Sequence, residues 1–160
     1  MFKNLMLMGL FAFFCTVANA NASDVNRGIQ SYQRGDFKAA LAEFKPLAGK
    51  GDSVAQYYLC EMHVQGKGVA QNFVEAVRWC DKSAEAGIPE AQTTLAGLKM
   101  LGLGTKRDYQ DGYFWIIVSA IWSKDDLRTA AMNALTQVSR TIGPQDKADI
   151  ANDAVTAWRR

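Results

Sequence analysis

Residues 53–88 read SVAQYYLCEMHVQGKGVAQNFVEAVRWCDKSAEAGI, and residues 89–124 read PEAQTTLAGLKMLGLGTKRDYQDGYFWIIVSAIWSK. Laid over one another at an offset of 36, they agree where a side chain shapes the backbone or fills a core. Ala55-Gln56 falls on Ala91-Gln92, Leu59 on Leu95, Gly66 and Gly68 on Gly102 and Gly104, Trp79 on Trp115, and Ala84 on Ala120. Phe73 meets another aromatic residue, Tyr109. Going backwards, Phe37, Ala40, Ala48 and Gly51 precede Phe73, Ala76, Ala84 and Gly87 by the same interval. A fixed period of this length is the mark of a stacked repeat.

Each unit reads as two helices. Asp52 or Ser53 caps a first helix running from Val54 to about Gln65, with Leu59 and Met62 on one face. Gly66-Lys67-Gly68 ends it, because glycine accepts the left-handed conformation that closes a helix. Asn72 caps the second helix, with Glu75 placed to complete a capping box; Asp108 and Asp111 repeat the pair, and Asp36 repeats the cap. Phe73, Ala76, Val77 and Cys80 then recur at i, i+3, i+4 and i+7 on one side. Gly87 stops the helix, and Pro89 stands where its missing N–H costs nothing, at the start of the next.

Ala55, Ala76, Ala84 and Ala91 mark the places where neighbouring helices approach closely, while Leu59, Phe73 and Trp79 fill the seams. One hairpin cannot bury its apolar stripe alone, so the units must stack. The predicted fold is all-α, a solenoid of antiparallel helix pairs. Its expected parts are a first unit over 21–52, units over 53–88 and 89–124, and a C-terminal helical cap over 125–160. In that cap, Asp125 to about Arg140 reads as one helix, and Gly143-Pro144 opens another carrying Ile150, Ala154, Val155 and Trp158.

These residues resemble the Sel-1-like repeat, a relative of the tetratricopeptide repeat. The resemblance rests on Ala55-Gln-Tyr-Tyr-Leu59, Gly66-Lys-Gly-Val69, Phe73-Val-Glu-Ala76 and Arg78-Trp79 through Gly87. A looser copy runs from Ala91 to Ala120, and Asp24 to Gly51 is a degenerate unit whose turn, Arg34-Gly35-Asp36-Phe37, lacks the glycine insert. His63 and Lys99 stand where such repeats usually carry tyrosine, and Cys60 where they usually carry glycine. The resemblance implies a right-handed superhelix whose first helices line a concave face. On those helices Gln56, Glu61, His63, Gln92 and Lys99 are the expected exposed contacts.

At the N-terminus, Lys3 precedes the apolar run Leu5 to Val17, and Ala18-Asn19-Ala20 supplies a small-x-small site. That order predicts a secretory signal peptide over 1–20, with cleavage after Ala20 or, at the overlapping site, after Ala22. At ~1.5 Å per residue the apolar run is too short for the ~30 Å hydrocarbon core, so no stable membrane insertion is expected once the signal is cleaved. Cys15 would leave with it. Cys60 and Cys80 stay, in a compartment that permits disulfides. For antiparallel helices joined near residue 70 the two lie equally far from the turn, so a Cys60–Cys80 bridge is predicted, with two buried free thiols as the alternative.

The chain carries a formal charge of +2, with no long run of one sign, which argues against nucleic acid as a partner. His63 is the only histidine and is tied by spacing to no carboxylate or nucleophile. The glycine turns lack the G-K-[ST] ending of a phosphate loop. Lys106-Arg107-Asp108 and Arg159-Arg160 read as solvated segments. Tyr57, Tyr58, Tyr113, Phe114, Trp115, Trp122 and Trp158 read as core more readily than as a sugar platform. No catalytic residue, cofactor or metal site is expected.

The function expected is that of a periplasmic or secreted scaffold binding a protein or peptide at the cell envelope. Two alternatives come from other classes. One is binding of cell-wall glycan or a secreted polysaccharide. The other is a β-lactamase-like hydrolase, a role described for some cysteine-rich relatives; the chain offers no S-x-x-K for it.

Overall fold

Helix α1 spans 24–33 and turns at Gly35, in the left-handed region, into α2 (Phe37–Gly49). The pairs α3 (Ser53–Gln65) and α4 (Phe73–Glu85), then α5 (Pro89–Leu101) and α6 (Tyr109–Trp122), follow; α7 (Asp125–Val138) and α8 (Pro144–Ala157) close the chain. The computed structural model describes residues 24–157 except 124, 139 and 141. The expected signal segment with Cys15, and Trp158, lie outside the described residues. Each helix of the repeats packs on the next in sequence, α3 also touches α5, α5 touches α7, and α6 carries both α7 and α8.

The core is a row of clusters with aromatic residues at the joins. Ala40, Phe44, Leu47, Ala55, Leu59 and Met62 form one cluster, and Ala76, Ala84, Ala91, Leu95 and Leu98 form the next around the Cys60 and Cys80 sulfurs. Ala96, Ile116, Ala120 and Ala131 form a third. Trp79 packs against the first two and Trp115 against the last two, so the tryptophans occupy equivalent seams. Ala55, Ala76, Ala84 and Ala91 have no exposed surface, as close helix contact requires.

Polar contacts repeat with the same interval as the apolar ones. The Gln56 amide donates to the Ala48 carbonyl at 3.2 Å, and Gln92 donates to Ala84 at 3.2 Å. Each ties the first helix of a unit to the last turn of the helix before it. Within a unit, the Ser83 hydroxyl donates to the Ser53 carbonyl (2.8 Å) and Ser119 to that of Pro89 (3.2 Å). These bonds give buried side chains a partner on carbonyls that also accept backbone N–H groups, Ala48 from Gly51 (3.1 Å) and Ala84 from Gly87 (3.0 Å).

The loops differ from a complete capping box. Asn72 accepts from the backbone N–H groups of Val74 and Glu75, both at 3.1 Å, so the forward half forms. The reverse half does not. The Asn72 backbone N–H goes instead to the His63 carbonyl (3.0 Å), and that of Asp108 to the Lys99 carbonyl (2.9 Å). The loop folds back on the end of the first helix and takes the donor that the box would have used. Glu75 is left to pair with Arg78.

Glycines close these loops for two reasons. Gly66 and Gly102 are left-handed helix caps, with φ of 68° and 69°. Gly68 and Gly104 are also left-handed and lie against the first residue of the second helix in the preceding unit. A Cβ on Gly68 would come 2.8 Å from the Phe37 carbonyl oxygen, and one on Gly104 would overlap the Phe73 carbonyl. Gly97, in mid-helix, has nothing within 4 Å of such a Cβ.

Cys60 and Cys80 form a disulfide between α3 and α4, with Cα atoms 5.3 Å apart and both residues without exposed surface. The free-thiol alternative is thereby set aside.

Two predictions follow from this packing. Gly104→Ala is expected to cost about 1–3 kcal/mol or more through its left-handed backbone alone, whereas Gly97→Ala gains up to about 1 kcal/mol; urea unfolding of both variants reads the contrast. The disulfide closes a loop of sequence separation 20, so its removal in Cys60→Ala/Cys80→Ala lowers stability by about 3 kcal/mol. Denatured, unreduced protein shows neither cysteine as a reactive thiol.

Candidate functional site

The face shared by α1, α3 and α5 is built from half-buried side chains. Tyr32 of α1 meets Tyr58 of α3 edge-on, with centroids 5.1 Å apart. Tyr58 stacks on the buried Phe44 ring at 4.7 Å and lies 5.4 Å from Tyr57. The Lys67 ammonium reaches back from the loop over Tyr32 and Phe37, 5.4 and 5.3 Å from the ring centroids.

Glu61 stands one turn beyond Tyr57 on α3. It accepts from the Gln65 amide on its own helix and from the Thr94 hydroxyl of α5 at 3.3 Å. Glu90 stands one turn before Thr94 on α5 and is exposed. Burial pushes the Tyr57 phenol above its ordinary range, and the carboxylates of Glu61 and Glu90 push it further. Burial and then Glu90 raise Tyr58, while burial and then Glu61 raise Tyr32. Tyr57 thus lies in the field of both carboxylates.

The third unit departs from the second here. At the 36-residue offset, Tyr57, Tyr58 and Glu61 become Thr93, Thr94 and Gly97. The α5 side of the face is therefore low, and the α3 side is high and aromatic.

The structure brings few of the sequence-predicted contacts to this face. Glu61 is there. Gln56 and Gln92 are not contacts: they are 6% and 1% exposed, because their amides tie adjacent units together. Lys99 is withdrawn as well. Its side chain is 17% exposed, and its ammonium lies 2.6 Å from Asp111 and 3.6 Å from Asp81, on the second helices α6 and α4. Burial is the largest influence on Lys99 and opposes its charge, but the hydrogen bonds and attraction of Asp111 and Asp81 together outweigh it and raise the Lys99 pKa. Burial raises Asp81 despite the neighbouring lysine. His63 sits partly buried at the end of α3, with Nδ1 enclosed and unbonded.

Tyr32, Glu90 and Thr94 were not among the expected contacts. The signal for the last two was present: Glu90 and Thr94 share the i, i+4 phase of Tyr57 and Glu61 on the equivalent helix.

A second concavity, of about 490 Å³, opens where the 105–111 segment meets the start of α8, with Lys106, Arg107 and Asp146 on its walls. Among the described residues no cluster of His, Cys, Asp and Glu is arranged to hold a metal ion, and no helix is long and apolar enough to cross a membrane.

The Lys99 site gives an asymmetric prediction. Asp111→Asn leaves a mostly enclosed ammonium with only the more distant Asp81, and is expected to cost about 1–2 kcal/mol. Lys99→Met removes the charge and keeps the stem, costing under about 1 kcal/mol, as urea midpoints would show.

Comparison with known proteins agrees with this architecture. The family model described as Sel1 repeat matches residues 53–88 and 89–120. The crystal structure of a protective antigen from uropathogenic Escherichia coli strains, displaying an SLR fold, superposes with a TM-score of 0.76 at 24% identity. That match covers 85% of this chain and 30% of the antigen. A Sel1 repeat protein from Oxalobacter formigenes superposes with a TM-score of 0.65 at 24% identity, covering 82% of this chain and 54% of that one. At such identities the likeness concerns the fold. In sequence, a chitin synthase regulator of Saccharomyces cerevisiae is 33% identical over 82 residues, half of this chain but only 12% of the yeast protein. Residues 53–88 and 89–120 are thus Sel1 repeats, set in an array of helix pairs.

Proposed function

We propose that this chain is an exported scaffold that binds a protein or peptide partner at the cell envelope, on the face shared by α1, α3 and α5. The observation that carries the reading is that this face keeps tyrosine rings half in solvent beside carboxylates without ion-pair partners among the described residues. Trp79 and Trp115, also partly buried, lie at the seams between the core clusters. Aromatic side chains of that kind contribute contact area at small conformational cost. Export is supported by the leader-like 1–20 stretch and by the buried Cys60–Cys80 bridge, which suits an oxidising compartment. Glycan binding draws less support, since Trp79 and Trp115 lie at the seams between the units. The hydrolase alternative has no assembled nucleophile and base among the described residues to support it.

Two measurements test the reading. Intact mass of protein expressed with its leader should fit loss of 1–20, or of the two further residues if Ala22 is the site; an unprocessed mass argues against export. In pull-downs from an envelope fraction, Gly97→Trp should cut partner recovery about tenfold or more, because it fills the low side of the face. The site has open space, so the fold should survive, which circular dichroism checks. Equal recovery by Gly97→Trp and the parent chain would put the contact elsewhere.

A further inference from the structure

We infer that the α3–α5 face, left low at Thr94 and Gly97, receives a lysine or arginine side chain of the partner, with Glu61 and Glu90 as its counter-ions and the Tyr57 ring as its wall. The inference rests on the scaffold reading above and adds the chemistry of what is recognised.

Charge complementarity argues for it. The ion pairs among the described residues join Arg27 to Asp24 and Glu43, Arg78 to Glu75, and Lys99 to Asp81 and Asp111. Glu61 and Glu90 are in none of these. The bonds to Glu61 come from neutral donors, Gln65 and Thr94. Both carboxylates act on the half-buried Tyr57 phenol, Glu61 from α3 and the exposed Glu90 from α5, and Glu61 is tied to Thr94 one turn beyond Glu90. An anionic ligand would be repelled there. A neutral one would leave the charge uncompensated.

Shape argues the same way. Thr94 and Gly97 replace the bulk that Tyr58 and Glu61 supply in the preceding unit, and a Cβ on Gly97 would touch nothing. The vacancy lies next to Glu61, the residue that reaches across it to Thr94. A long cationic side chain can lay its methylenes along α5 and place its head between the carboxylates.

The chain already pairs cations with rings in this way. Lys67 lies over Tyr32 and Phe37 at the near end of the same face, and Arg78 and Lys82 lie over Trp79 at 5.1 and 4.8 Å. Ammonium and guanidinium groups within ~6 Å of an aromatic centroid are attracted by its quadrupole. Tyr57, flanked by two carboxylates and with no basic side chain seated on it in these contacts, offers the same surface to a cation from outside.

The test uses the full chain and short labelled glycine–serine peptides bearing arginine or glutamate, read by fluorescence anisotropy. The arginine peptide should bind at least about tenfold more tightly than the glutamate peptide. Glu61→Gln/Glu90→Gln should remove most of that difference while keeping helix content. The charge-matched pair Glu85→Gln/Asp146→Asn, which leaves this face intact, should retain it. Equal binding of the two peptides, undiminished preference in Glu61→Gln/Glu90→Gln, or displacement of the arginine peptide by a chito-oligosaccharide in preference to free arginine would each overturn the inference. The pull-down separates the two claims. A partner lost by Gly97→Trp but kept by Glu61→Gln/Glu90→Gln leaves the scaffold reading standing and removes the cation site.

Discussion

Helices that meet at Ala55, Ala76, Ala84 and Ala91 lie close enough that no water can serve the backbone between them. That closeness is the constraint on which the rest depends. Apolar burial holds such helices together but has no direction; it would tolerate sliding and rotation. Direction comes from hydrogen bonds that only one register satisfies. Gln56 under Ala48 and Gln92 under Ala84 set each unit on its predecessor, and Ser83 on Ser53 and Ser119 on Pro89 set the two helices within a unit. A slip would strand buried side-chain amides and hydroxyls, at a cost of ~1–3 kcal/mol each. The disulfide adds a covalent tie in the middle of the same array, where Cys60 and Cys80 lie among the small residues of the second cluster.

With the register fixed, the helix faces acquire separate tasks. The second helices gather ionic contacts, as Lys99 shows by reaching across to Asp81 and Asp111. The first helices α3 and α5 keep half-buried side chains and the carboxylates of Glu61 and Glu90, which join no ion pair among the described residues. Rigid placement matters for recognition, because Glu61 and Glu90 come from different units and their separation is only as constant as the stacking between α3 and α5.

The fold was legible because its determinants are local and recur. A glycine that must be left-handed, a residue capping its own helix and an alanine at a crossing all reveal themselves through spacing. The contact face was less legible, for a specific reason. Gln56 and Gln92 carry polar side chains on first helices, so helical phase alone assigns them to solvent. Their true partners, the carbonyls of Ala48 and Ala84, are backbone atoms with no signature in the sequence. Lys99 misled in the same way, since Asp81 and Asp111 become its neighbours only through packing. The capping box half failed because the His63 and Lys99 carbonyls, again backbone atoms, competed for the donor. Glu61, unlike the glutamines, stays partly exposed, as helical phase predicts.

The seating of Gly68 on Phe37 and of Gly104 on Phe73 gives the array a direction of growth. Every seven-residue connector (66–72 and 102–108) rests on the unit before it, while the short 34–36 turn, with no earlier described unit beneath it, has no insert to rest. A connector thus belongs structurally to the joint and not to its own hairpin. Whole segments of 36 residues could be duplicated between existing units with every new joint supplied. A segment cut at half a period would carry a connector without a seat, or a seat without a connector. Lengthening by complete modules is the path this geometry leaves open.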